Sequence, residues 1–159
     1  MNAKNNLTLL KAMFFGLIAM CTISCDKDDV TPEDPGITIS DLVGSWHATS
    51  ALFTNNSDAE QNFDLVENGG ELRFTVLAHG GVRTWVEIDT FSDEWDAQIT
   101  ITGDNTMETT PVESSRTVNK FTVDLKENVV TLTNVDDSFD FNGDGNEVSA
   151  TTVSIFEKQ

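Results

Sequence analysis

The sequence predicts an all-β domain whose strands run as a single antiparallel meander, closed into a barrel or, alternatively, folded as a β-sandwich. Two observations support this fold class. Several segments alternate apolar and polar residues with period two, and turn-forming Gly, Asn and Asp residues separate these segments. A barrel is favoured over a sandwich because closure removes the unpaired strand edges.

The first 24 residues have the form of a signal peptide. They contain Lys4 and Lys11 but no acidic residue, and an apolar run follows over residues 12–20. This run is shorter than the roughly 20 apolar residues that a membrane-spanning helix needs. We therefore predict that residues 1–24 are a signal peptide and not a transmembrane anchor.

Cys25 follows Thr22-Ile23-Ser24, and this order resembles the lipobox of bacterial lipoproteins. The resemblance implies that Cys25 is lipidated and becomes the new N-terminus. The alternative is an ordinary signal peptide with Cys25 as a free or disulfide-bonded thiol. No cysteine follows Cys25 in the chain, so a disulfide within the mature chain has no partner.

An acidic tether is predicted from Cys25 to residue 40. It contains Pro32 and Pro35 and no apolar periodicity, which is typical of an extended, semi-rigid segment. Its start, residues 26–29, reads Asp-Lys-Asp-Asp and resembles the export signal that sends some lipoproteins to the outer leaflet. The alternative is a plain solvated tether. We expect a lipid anchor in the outer membrane of the cell envelope.

The net charge limits the possible partners. The chain has 9 basic and 27 acidic residues, and removing the two lysines of the signal peptide leaves 7 and 27, a charge of about −20. Nucleic acid is excluded as a natural partner, because binding to phosphates needs clustered Lys and Arg. Anionic lipid head groups also repel such a domain, so acyl chains are the expected membrane contact.

Residues 41–159 form the predicted barrel domain. The first strand is assigned to residues 44–53, whereas residues 55–68 lack clear periodicity and are predicted to be a loop or a short helix. A hairpin is predicted over residues 71–90, turning at Ala-His-Gly-Gly. Later strands are predicted over four segments, residues 95–102, 120–125, 129–133 and 151–156.

Gly44-Ser45-Trp46 at the start of the first strand resembles the Gly-x-Trp element of the lipocalin and lipocalin-like barrel families. Gly44 allows a tight bend, and Trp46 is predicted to cap one end of the core with its indole N–H on a carbonyl. Lipocalins proper place a basic side chain from near the last strand over this Trp. The resemblance implies a barrel that binds a small apolar ligand or an envelope protein, and Lys158 is the basic residue nearest the chain end.

A candidate calcium loop lies before the last strand. Its start matches an EF-hand-type loop at four positions, Asp140, Asn142, Asp144 and Gly145. The position of the bidentate carboxylate is occupied by Thr151, so Glu147, Asp136 or Asp137 would have to supply it. The alternative is a metal-free turn, because Asp, Asn and Gly are the commonest turn formers. Lipocalin-like lipoproteins often carry a similar stretch, which favours the turn, and no cofactor is expected.

Catalytic motifs are scarce. His47 and His79 lie on different predicted elements without spaced partners, and no nucleophile elbow is present, so an enzyme is not expected. Trp95 alternates with core residues and is predicted to face inward. Trp85 falls on the opposite face from Val86 and is predicted either to bind a partner or to cover a barrel end.

Three functions follow from these observations. The first is a non-catalytic, lipid-anchored lipoprotein whose barrel binds a small ligand or a partner protein. The second is a calcium-stabilised interaction or carbohydrate-binding module that uses the candidate calcium loop and Trp85. The third is an unrecognised hydrolase, which would need His47 or His79 within hydrogen-bonding reach of a serine and a carboxylate.

Overall fold

The computed structural model describes residues 36–159. Within them, one short helix, α1 (Ile39–Leu42), precedes nine strands. In chain order these are β1 (Gly44–Asn55), β2 (Asp58–Asp64), β3 (Glu71–Val76), β4 (Gly81–Ile88), β5 (Phe91–Gly103), β6 (Thr106–Pro111), β7 (Asn119–Lys126), β8 (Val129–Phe139) and β9 (Val148–Lys158).

Eight of these strands close a barrel. The order in the sheet is β2-β1-β3-β4-β5-β6-β7-β8-β9, and β9 pairs back with β1. All pairs are antiparallel. β2 is the additional strand, because β1 pairs with β3 along its first residues and with β2 along its last. The predicted all-β, closed antiparallel barrel is confirmed.

The antiparallel meander gives the barrel two different ends. We call one end the base; it carries α1 and the turns at residues 77–80, 104–105 and 127–128. We call the other end the mouth; it carries the connections at residues 56–57, 89–90, 112–118 and 140–147. The chain joins the barrel at the base, where the Ile37 N–H donates to the carbonyl of Asp104 at 2.7 Å. Residues 36–40, which the sequence assigns to the tether, therefore contact the base.

Trp46 lies in the core above α1. Its indole N–H donates to the Leu42 carbonyl at 2.8 Å, and its ring stacks on Phe74 with centroids 6.0 Å apart. The ammonium group of Lys158, from the end of β9, lies 5.2 Å from the Trp46 ring centroid. Gly44, two residues before Trp46, has φ +132°, a backbone conformation that favours glycine. The predicted role of Gly44 and Trp46 in capping one end of the core requires this geometry.

A loop or short helix is predicted for residues 55–68, and this prediction is wrong for Asp58–Asp64, which form strand β2. Only Phe63 of its inward side chains is a large apolar residue, so the sequence lacks the alternation that marks the other strands. The strand forms because β1 extends beyond β3 and offers a free edge for pairing. β6 likewise lacks a predicted strand, whereas the hairpin over residues 71–90 is confirmed as β3 and β4.

Asp64 at the end of β2 fixes the chain before β3. Its carboxylate accepts hydrogen bonds from the Ser50 hydroxyl at 2.6 Å and from three backbone N–H groups, those of Ala51, Val66 and Glu67. Burial is the largest single influence and raises the pKa of Asp64, but these hydrogen bonds together outweigh it. The pKa of Asp64 is therefore lowered, and the group is ionised at neutral pH.

Candidate ligand-binding site in the upper barrel

The burial of inward side chains varies along the barrel axis. Val76, Ile99 and Val123 are almost fully buried, with exposures of 2%, 3% and 2%, whereas Ile101 and Leu125 at the base ends of β5 and β7 are partly buried. Nearer the mouth, inward side chains on the same three strands are only partly buried, namely Leu72, Trp95 and Phe121. Val76, Ile99 and Val123 thus belong to a packed core, and we call the inner face on its mouth side the upper lumen.

One wall of the upper lumen is apolar and another is polar. Leu72 and Val86 are paired neighbours on β3 and β4 and form part of the apolar wall. On β8 and β9, Asn134 and Thr152 are paired and buried. The Thr152 hydroxyl donates to Asp137 at 2.5 Å, and the Asn134 side-chain oxygen accepts the backbone N–H of Asp136 at 3.0 Å. The upper lumen therefore combines apolar side chains on one wall with polar side chains on another.

A charged pair lies at the mouth side of this lumen. Asp93 on β5 is paired with Val86, so it continues the inward face that includes Trp95. Arg116, from the connection between β6 and β7, donates from Nη2 to Asp93 Oδ2 at 2.6 Å. Its guanidinium carbon lies 4.8 Å from the Trp95 ring centroid. The hydrogen bond that Arg116 donates to Asp93 raises the pKa of Arg116 above its usual value, so Arg116 stays charged.

Exposed apolar side chains lie near the same charged pair in the chain. Phe91 is 57% exposed at the start of β5, and Val112 and Val118 are exposed in the connection between β6 and β7. We call these three residues the apolar rim. Exposed large apolar residues grouped at the mouth of a concave site are typical of binding surfaces.

Trp85 lies on the outer face of the sheet, away from the upper lumen. The guanidinium carbon of Arg73 lies 3.9 Å from the ring centroid of Trp85, so this side chain covers one face of the indole. Trp85 is only partly buried. It is therefore an outer-wall aromatic paired with a cation and is separate from the lumen that contains Trp95.

The candidate calcium loop forms the connection between β8 and β9, and its oxygen side chains contact the protein itself. The Asp140 carboxylate accepts backbone N–H groups from three residues of its own loop, Asn142, Asp144 and Gly145. The hydrogen bond from Gly145 is the largest cause of the lowered pKa of Asp140. Asn142 accepts from Gln61, and Glu147 accepts from the Ser138 hydroxyl at 2.6 Å. Within residues 36–159, no group of three or more His, Cys, Asp or Glu is placed to hold a metal ion.

The two histidines lie far from the upper lumen. His47 Nε2 lies 2.5 Å from Glu71 Oε1 on the outer face of β1 and β3, and His79 lies in the exposed turn at the base. Among the hydrogen bonds of the described chain, neither histidine is joined to a serine.

Arg116 and Asp93 are site residues that the sequence did not predict. Asp93 extends the inward series of Trp95, Ala97 and Ile99 by one step, so an acidic residue on an apolar face was a detectable signal. Arg116 lies in a connection without periodicity, and no local pattern indicates where its side chain points.

The predictions for the N-terminal segment fall outside the described residues. These are the signal peptide, the lipidated Cys25 and the tether up to residue 35. Among residues 36–159 there is no helix of the length and hydropathy needed to cross a membrane.

The fold of residues 36–159 defines a class of protein, the small closed antiparallel β-barrels. Comparison with protein-family models gave no matching family, and comparison with curated proteins gave no match.

Proposed function

We propose that the protein is a non-catalytic, lipid-anchored binding protein of the cell envelope, and that its lipocalin-like barrel binds a small ligand in the upper lumen. One observation carries this proposal. On the mouth side of β3, β5 and β7 the inward side chains of Leu72, Trp95 and Phe121 are only partly buried, beyond the almost fully buried core residues Val76, Ile99 and Val123. A barrel built only for stability would bury the whole inner face, because each exposed apolar side chain forgoes burial energy.

The attachment of the chain supports this function. The described chain enters the barrel at the base, through the hydrogen bond between Ile37 and Asp104. The mouth is at the opposite end of the barrel. With Cys25 lipidated at the other end of the tether, this arrangement suits uptake of a ligand from the surroundings.

The contact between Lys158 and Trp46 supports the lipocalin-like relationship. Lipocalins proper place a basic side chain from near the last strand over the Trp of the first strand. Lys158 at the end of β9 lies over Trp46 in this way, 5.2 Å from the ring centroid. A lysine here takes the place of the usual basic residue.

Binding of phenylnaphthylamine, an uncharged apolar fluorophore, tests the proposed function. The soluble chain of residues 26–159 includes every described strand, so it carries the whole domain. We expect saturable binding with a strong rise in fluorescence. Val86→Phe fills the lumen and should weaken binding about tenfold or more, as expected when an apolar subsite is blocked.

Val135→Phe is the matched control, because the same change is made at a side chain that is 60% exposed. It should leave the affinity unchanged. Equal effects of the two variants, or no saturable binding by the unmodified chain, would overturn the proposal and leave a partner protein at the apolar rim as the alternative.

A further inference from the structure

Arg116 has a hydrogen-bond donor that the protein does not use. Its Nε atom is buried and has no hydrogen-bond partner among residues 36–159. The nearest acidic oxygen other than Asp93 belongs to Glu113, at 3.7 Å from Nε, which is beyond hydrogen-bonding distance. Buried donors are almost always paired in native structures, so an unpaired one needs an explanation.

The geometry of the guanidinium group indicates what would pair with it. Nε and Nη2 point along the same edge of the group, the edge that can bind two acceptor atoms side by side. Asp93 Oδ2 accepts a hydrogen bond from Nη2, whereas Nε has no hydrogen-bond partner within the described chain. This edge therefore lacks one oxygen acceptor next to Trp95, and an incoming acceptor reaches Nε when the side chains that cover it, such as the exposed Glu113 at 3.7 Å, move aside.

The local charge indicates that this acceptor is uncharged. Asp93 and Glu113 both lie beside Arg116, so the cluster already has one more negative than positive charge. The mature chain adds a net charge of about −20 around it. A carboxylate, sulfonate or phosphate would be repelled by this field, whereas a carbonyl, ester or ether oxygen would not.

The surroundings of the donor are apolar. The guanidinium group lies over Trp95, and Leu72 and Phe121 provide further inward apolar surface lower in the lumen. The apolar rim adds exposed apolar surface above it. A ligand that satisfies Arg116 would therefore have an apolar body that contacts these walls.

Building on the proposed function, we propose that Arg116 determines ligand specificity. Its Nε–H donates to the ligand, and the upper lumen selects uncharged amphiphiles that combine an apolar body with a carbonyl, ester or ether oxygen. Asp93 is the positioning residue, because its hydrogen bond holds the guanidinium group over Trp95.

Three naphthalene probes of similar size test this selectivity on residues 26–159. Prodan is uncharged and has a ketone oxygen, phenylnaphthylamine is uncharged and has no carbonyl, and anilinonaphthalene sulfonate is an anion. We expect prodan to bind tightest and the sulfonate weakest. Arg116→Met should weaken the affinity for prodan about tenfold, the effect of losing one charge-assisted hydrogen bond. It should change the affinity for phenylnaphthylamine less than about twofold.

The emission wavelength of bound prodan gives a readout that does not depend on affinity. Prodan emits at longer wavelength when its ketone accepts a hydrogen bond, so Arg116→Met should shift the emission of the bound probe to shorter wavelength. Arg116→Lys keeps the positive charge but removes Nε, and it should give the same shift. Arg83→Met is the matched control. Arg83 on β4 pairs with Asp96 on the outer face of β5, with Nε and Oδ1 2.9 Å apart.

The outcomes separate the two proposals. If none of the probes binds, the proposed function fails and this inference fails with it. If phenylnaphthylamine binds but both Arg116 variants leave prodan affinity and emission unchanged, Nε does not donate to the ligand and the specificity role is wrong. Tightest binding by the sulfonate would overturn the selection for uncharged ligands.

Discussion

Asp64→Ala removes the acceptor for four hydrogen bonds at the junction of β2 and β3. The Ser50 hydroxyl and the N–H groups of Ala51, Val66 and Glu67 all donate to this one carboxylate, at 2.6, 3.3, 2.9 and 3.2 Å. Asp64 is 8% exposed, so water cannot readily replace it. The alanine variant should therefore lose more stability than a surface charge deletion.

The expected loss is about 3 kcal/mol in the free energy of unfolding. Two of the four hydrogen bonds are short, and each contributes about 1 kcal/mol net or somewhat more because the acceptor is charged. The two longer ones contribute less. With an m-value of about 2 kcal/mol/M in urea, the unfolding midpoint should fall by about 1.5 M without a change in m.

The pH dependence follows from the lowered pKa of Asp64. Because the folded-state pKa lies below the unfolded value of about 3.9, ionised Asp64 stabilises the fold above that pH. This stabilisation is lost as the pH falls through the folded-state pKa. The difference in stability between the unmodified chain and Asp64→Asn should therefore shrink below about pH 4.

Urea unfolding of residues 26–159, followed by tryptophan fluorescence, measures both effects. Asp96→Ala is the control, because its carboxylate forms an exposed pair with Arg83 that water and salt screen, so its loss should change stability little. A loss for Asp64→Ala no larger than that of Asp96→Ala would refute the reasoning. A difference between the unmodified chain and Asp64→Asn that is independent of pH would refute the pKa argument.

Three further predictions concern the base and the loop before β9. Gly44→Ala should cost about 1–3 kcal/mol, measured by thermal unfolding, because φ is +132° and a Cβ would meet Lys158 at 2.8 Å; an unchanged melting temperature would contradict this. Trp46→Phe should lower the free energy of unfolding in urea by about 2 kcal/mol, because the hydrogen bond to the Leu42 carbonyl is lost; an unchanged free energy would show that this bond does not stabilise the fold. Asp140→Ala should speed amide exchange in residues 142–145, while millimolar calcium leaves the melting temperature of the unmodified chain constant; a rise would favour the calcium loop.

Local patterning was sufficient to predict most strands of the barrel. In the hairpin of β3 and β4, Phe74 and Val82 face inward as their period-two alternation predicts. The turn between them contains Gly80 with φ +83°, which fits the glycine-rich sequence. These features depend on side chains and turns within a few residues of one another, so they can be predicted without knowledge of the fold.

The strands that were missed depend on distant partners. β2 has few apolar residues and forms because the last part of β1 offers it a pairing edge. β6 consists of Thr106–Pro111, where Met107 is the main inward apolar residue and β5 and β7 supply the pairing on either side. Such strands are stabilised by the sheet around them more than by their own sequence pattern.

The sequence by itself was sufficient to predict the all-β class and the inward series that includes Trp95, because each depends on residues close together in the chain; the lipid anchor at Cys25 stays a prediction. Only the tertiary structure decided which part of the inner face is accessible, because packing of the core depends on closure of β9 onto β1. The connection after β6 lies along β5, where the Val112 N–H donates to the Asp96 carbonyl, and it brings Arg116 onto Asp93 and Trp95. The candidate site is thus a product of long-range pairing, which no local pattern encodes.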